Sequence, residues 1–168
     1  TDWHHIVATY DGEKMKLYVD KKLMVEKETE GNLRSSNSDI LIGSQTSRNY
    51  FEGIIDEVII YERALNVDEI GQINTTTQNP DNGSNSLASE WNFNEGNGSK
   101  VSDPINMLNG EIQGASWVSG VNGNCLSFDG EDDNVSIPHS SNLAFQNELT
   151  ISAWAKSKEY KEAKKNSD

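Results

Sequence analysis

Two short runs near the start of the chain limit what it can become. Met15, Leu17 and Val19 alternate with Lys14, Lys16, Tyr18 and Asp20. A period of two fits an extended strand with one apolar face, and does not fit a helix. Asp11-Gly12 lies between this run and the preceding His4–Tyr10 run, and Asp-Gly accepts the positive φ angles of a tight hairpin. Further on, Ile54–Tyr61 is apolar at both parities except for Asp56 and Glu57, which predicts a central strand covered on both sides. The chain is read as all-β and antiparallel, with strands near 4–10, 14–20, 40–43, 54–61, 124–128, 133–137 and 149–155. No helix longer than two turns or so is expected.

The remaining segments fit that plan. Leu23–Lys27 predicts a further strand, DILIG at 39–43 a short one, and Ser44–Tyr50 a polar loop. Asn66 with Glu69 has the spacing of a capping box, opening one or two helical turns over Val67–Ile73. Residues 74–86 lack hydrophobic side chains and read as a linker. After it, Trp91 and Phe93 share one parity, NCLSFDGEDDNVSIP predicts two strands around an acidic loop, and Leu149, Ile151, Ala153 and Ala155 alternate with Thr150, Ser152 and Trp154. A charged tail, 157–168, follows.

The order Trp-His-His-x-x-x-x-Tyr-Asp-Gly, Leu-Tyr-Val-Asp, Ile-Gly and Gly-x-Ile-Asp-Glu-Val-x-x-Tyr-x-Arg-Ala-Leu, between Trp3 and Leu65, resembles the C-terminal half of a laminin-G-like domain. That family belongs to the concanavalin A-like lectin-glucanase superfamily. Residues 87–156 resemble its N-terminal half, through Trp-x-Phe-x-Glu-Gly, Leu-Ser-Phe-Asp-Gly and Ser-Ala-Trp. The resemblance implies an antiparallel jelly-roll β-sandwich, present either as two half-domains or as one permuted sandwich. The half-domain arrangement, a cut through a tandem array of repeats, is preferred: the family places further strands between Ser-Ala-Trp and Trp-His-His that nothing here supplies. One departure stands out. The family has Val-Asp-Gly at the second hairpin turn, whereas Asp20 is followed here by Lys21.

Acidic side chains outnumber basic ones 27 to 14, for a net charge of −13. That balance argues against nucleic acid or anionic membrane as partner, and no apolar run reaches membrane-spanning length. The single Cys125 excludes an intrachain disulfide and reads as a small buried apolar residue. The densest cluster of oxygen ligands is the loop Asp129, Glu131, Asp132, Asp133 and Asn134. Hard cations such as Ca²⁺ take six to eight oxygens of this kind, although the spacing is not that of an EF-hand. Asp56 is a second metal candidate, because by parity it shares the face of Val58 and Ile60, where a carboxylate needs a cation or several donors. The resemblance implies calcium at varied positions. Its pentraxin-like position after Ile-Gly is Ser44-Gln45-Thr46 here, without carboxylates.

His4 and His5 point to opposite faces of a strand and cannot chelate one ion together; His5 is read as a packed residue. No nucleophile elbow or phosphate loop is present, and paired catalytic carboxylates about 5 to 10 Å apart across a cleft are not evident. The chain is therefore read as a non-catalytic module that binds carbohydrate or glycoprotein, with Trp117 and Tyr50 as candidate sugar-stacking aromatics. The resemblance places it in a secreted or cell-surface protein beside neighbouring domains of the same polypeptide. The alternatives are a structural spacer packed on a catalytic domain and, third, a glycoside hydrolase-related domain.

Overall fold

The computed structural model describes residues 2–34, 36–45, 48–73 and 86–158. The expected linker lies outside them except for Ser86, and the tail is described only as far as Lys158. The strands in order are β1 (His4–Tyr10), β2 (Lys14–Val19), β3 (Lys22–Glu28), β4 (Ile40–Ile42), β5 (Ser44–Gln45), β6 (Arg48–Tyr50) and β7 (Glu52–Tyr61). After helix α1 (Val67–Gln72) come β8 (Leu87–Trp91), β9 (Lys100–Val101), β10 (Gly110–Gln113), β11 (Ser116–Ser119), β12 (Asn124–Asp129), β13 (Asn134–Ile137) and β14 (Leu149–Ser157). A 3₁₀ turn covers Ser141–Leu143. The prediction of an antiparallel β-sandwich holds, and the capping box forms: the Asn66 side chain accepts from Asp68 and Glu69 N–H while Glu69 accepts from Asn66 N–H.

The topology settles how the two segments meet. One eight-stranded sheet runs β11-β12-β7-β14-β1-β2-β3, with β8 also pairing with β7. Strand β7, from the first segment, lies between β12 and β14 of the second, with Ile55 opposite Leu126 and Ile60 opposite Ile151. A smaller sheet, β4-β13-β10-β9, mixes the segments in the same way. The two segments thus form one permuted sandwich rather than the preferred pair of separate half-domains. The physical reason is that each segment alone leaves edges of β7, β12 and β14 unpaired, and pairing them with each other satisfies those backbone groups.

Between the two sheets lies the main core, built on Val58, Ile60, Trp91, Phe93, Leu126, Phe128, Val135 and Ile137. We call the side of the large sheet turned toward it the inner face. On the outer face a second cluster, Val7, Tyr18, Tyr61, Leu65 and Ile70, packs α1 against β1, β2 and β7. Cross-strand partners share a face, so the assignment extends along each ladder.

Two local features modify the sequence reading. Glu57 sits at φ 50 and the β7–β14 register shifts between Ser152 and Trp154. This is a bulge with one extra residue on β7, and it reverses the parity of the strand. Asp56 consequently pairs with Trp154 on the outer face, opposite to Val58 and Ile60, where alternation had placed it with them. Trp154 itself is half-buried and tilted against His5, at 5.3 Å between ring centroids. At the second turn, Asp20 and Lys21 both take left-handed conformations, φ 50 and 68, so the turn keeps the backbone glycine favours without a glycine. The Asp20 carboxylate supports it by accepting from His5 N–H at 2.9 Å, and it lies 2.7 Å from His4 Nδ1.

Candidate metal centre and neighbouring cavity

The β12–β13 hairpin carries the acidic loop. Gly130, at φ +83, turns the chain. Asp129 Oδ1 accepts from Glu131 N–H at 2.8 Å, and Asp133 Oδ2 accepts from Asp129 N–H at 2.9 Å. These bonds fold the loop so that Asp129, Asp132 and Asp133 each bring a carboxylate oxygen within 4.8 Å of the others. Burial raises the Asp133 carboxyl above its ordinary range, and the neighbouring charges of Asp129 and Asp132 add to that rise. Behind it, a Cβ on Gly114 would fall 1.9 Å from Asp133 Oδ1, so only glycine leaves room for this carboxylate.

The other expected ligands lie elsewhere. Glu131 gives the turn its N–H, and its carboxylate is outside the group of three. The Asn134 side-chain amide donates to Gln113 Oε1 and to the Asp132 carbonyl, both at 3.3 Å, and so bridges hairpin to sheet. Asp56 is fully buried on the outer face and accepts from the N–H groups of Glu57, Val121 and Asn122 at 2.9, 2.8 and 3.4 Å. Those backbone donors meet its need for partners. Burial raises its pKa while the three bonds pull it down.

A cavity of about 400 Å³ opens beside the acidic group. Its floor is one row across four strands, Ser116, Ser127, Ile54 and Lys156, each the cross-strand partner of the next. Asp129 and Asp133 stand at its rim. Hydroxyl, ammonium and carboxylate groups therefore converge on one concave surface. Sequence reading missed this row because a single serine or lysine carries no signal until register aligns it.

The expected sugar platforms do not meet there. Trp117, on β11, packs half-buried against the main core, and its indole N–H donates to the Gly98 carbonyl at 2.8 Å. Tyr50 is half-buried on β6, opposite Ser44 in the separate two-stranded hairpin. His5 is packed as expected. It is 1% exposed, its Nε2 lies 2.7 Å from Ser152 Oγ, and burial lowers its pKa to about 4. Cys125 is buried, and burial raises its thiol to about 12. Two other acidic groups stand out in the structure. The Glu57 carboxyl is raised to about 7 by burial and by the charge of Asp56. Asp103, buried behind β8, accepts from Ser89 Oγ and from the N–H groups of Glu90, Ile105 and Asn106.

The architecture is that of an antiparallel β-sandwich carrying an acidic hairpin loop beside a cavity of mixed lining. Residues 1–71 match a laminin G family model described as the concanavalin A-like lectin/glucanases superfamily. No curated protein and no solved structure gives a significant match. Among the described residues no helix is long and apolar enough to cross a membrane.

Proposed function

We propose that the chain is a non-catalytic carbohydrate- or glycoprotein-binding module of an extracellular or cell-surface protein, with a Ca²⁺ held by the β12–β13 loop. One observation carries this reading: three carboxylates converge in the β12–β13 loop, and two of them, Asp129 and Asp133, line a cavity that also takes in Ser116, Ser127 and Lys156. Three carboxylates this close repel one another, and a divalent cation relieves that repulsion. The donor set suits a hard ion, because carboxylate oxygens supply it and no thiol or imidazole lies in the group. Asp129, Asp132 and Asp133 would hold the ion, and Ser116, Ser127 and Lys156 would orient saccharide hydroxyls. The superfamily match of residues 1–71 is compatible with sugar binding.

Binding on an immobilised glycan panel, with and without calcium, tests the ligand; a blank panel under both conditions contradicts it. Thermal melting tests the ion separately. A ligand of the native state stabilises it by about 2.7 kcal/mol at a hundredfold excess over Kd. Millimolar calcium is therefore expected to raise Tm, chelator to lower it, and Asp132→Asn, an exposed position, to remove the response. A Tm that ignores both reagents rules the ion out.

A further inference from the structure

The inner face of the large sheet is covered over only part of its width. Above β7, β8 and β12 it packs against the small sheet. Beyond β14 it continues as an apolar surface that no described residue covers. The register places Ile151 beside Ala8, Ala8 beside Leu17, and Leu17 beside Val25. Ile6 and Met15 extend the same surface, at 36% and 52% exposure, and Leu17, Val25 and Ile151 stand at 36%, 56% and 41%. Residues 29–31 close only its Tyr10 end, where the Tyr10 hydroxyl lies within hydrogen-bond reach of the carbonyls of Gly12, Thr29 and Gly31.

Two further observations say what fits there. Strand β4 is the last in the small sheet and its outer edge is unpaired among the described residues. Ile40 of β4 and Leu149 of β14 line one cavity of about 210 Å³, so this edge stands beside the open surface. The main sheet-on-sheet interface simply stops at β4. Second, the inner-face positions of β14, β1, β2 and β3 include Lys22 and Lys27 and no carboxylate, in a chain of net charge −13. Arg34 lines the cavity at the β4 edge.

We infer that this surface docks an amphipathic β-hairpin from a separate domain, which pairs with the β4 edge and lays alternate apolar side chains on Ile6, Leu17, Val25 and Ile151. Acidic residues flank those side chains and meet Lys22, Lys27 and Arg34. A strand added at β4 satisfies its edge N–H and C=O groups and extends the existing interface in one step. A second copy stacked face to face covers the apolar surface but leaves the β4 edge open, so the hairpin accounts for more of what is seen. The inference is independent of the sugar and calcium reading, whose groups lie at the other end of the sheet.

The probe is a synthetic hairpin peptide alternating Ile or Val with Glu, and a control in which Lys replaces each Glu. The acidic peptide is expected to bind and to slow amide exchange of Ile40–Ile42 by about tenfold or more at saturation. The Leu17→Glu/Val25→Glu double variant, confirmed folded by its circular dichroism, is expected to lose binding by about tenfold or more. The basic peptide should bind more weakly than the acidic one. Four results overturn the inference: no binding, binding that the double variant retains, β4 amides left unprotected, or no preference for the acidic peptide. A concentration-dependent dimer in sedimentation that the double variant abolishes would also overturn it, since a second copy would then be the occupant.

Discussion

The two ends of the large sheet obey the same alternation and meet different fates. On β7, Val58 and Ile60 fall on the inner face and are buried beneath the small sheet at 6% and 5% exposure. On β14 the same inner face puts Ile151 in the open at 41%, while Thr150 and Ser152, on the outer face, are buried at 0% and 1%. Hydroxyls lie inside and an isoleucine outside because Thr150 Oγ1 donates to the Arg63 carbonyl and accepts from Leu65 N–H, and Ser152 is bonded to His5. Periodicity tells which side chains share a face, but the presence of a second layer decides which face is buried.

The largest test of this contrast is a charge at equivalent inner-face positions. Val58→Asp is expected to unfold the chain, since an unpaired charge in a core costs several kcal/mol, comparable to the whole stability of a small domain. Leu17→Asp on the uncovered end should cost less than about 1 kcal/mol. Urea unfolding of both checks it, and equal losses would erase the distinction between the two ends.

The polar groups behind each end give the next effects. His5, held to about 4 by burial, is neutral when folded. Its unfolded form binds protons first, so its contribution is complete above pH 6.5 and is lost as pH falls toward 4, by roughly 3 kcal/mol. Glu57, raised to about 7, acts in the opposite sense. The folded state holds its proton longer, so stability falls as pH rises from about 4.5 to 7, by roughly 1–2 kcal/mol after allowance for partial exposure. Between pH 4.5 and 6.5 the Glu57 effect offsets only part of the His5 effect. Glu57→Gln should therefore stabilise the chain at pH 7.5, leave it unchanged at pH 4, and steepen the rise in stability with pH between them. A variant whose stability keeps the parent's pH slope would contradict the Glu57 assignment. The smallest expected effect is at the β2–β3 turn, where Lys21→Gly relieves a left-handed lysine and should add less than about 1 kcal/mol, since glycine also loosens the unfolded chain.

The strands, the hairpins and the capping box were legible because each rests on local chemistry: alternation, Asp-Gly, and Asn66 with Glu69. The face of Asp56 was not, because a single extra residue at Glu57 reverses parity and carries no compositional mark. The acidic loop was visible as a run, yet only the fold shows that Asp129, Asp132 and Asp133 converge while Asn134 and Glu131 turn to other tasks. Trp117 looked like a loop aromatic, and register puts its ring against the core instead. The interleaving of the two segments was the hardest to read, since nothing short-range says which edge of β7 meets which partner.

That interleaving is the central claim, and proton NMR reads it directly. Cross-strand contacts between Ile55 and Leu126, and between Ile60 and Ile151, are expected in the monomer, with the same intensity when labelled chain is diluted in unlabelled chain. Their absence, or their appearance only between molecules in an isotope-filtered mixture, would show that the two segments do not complete one sandwich within this chain.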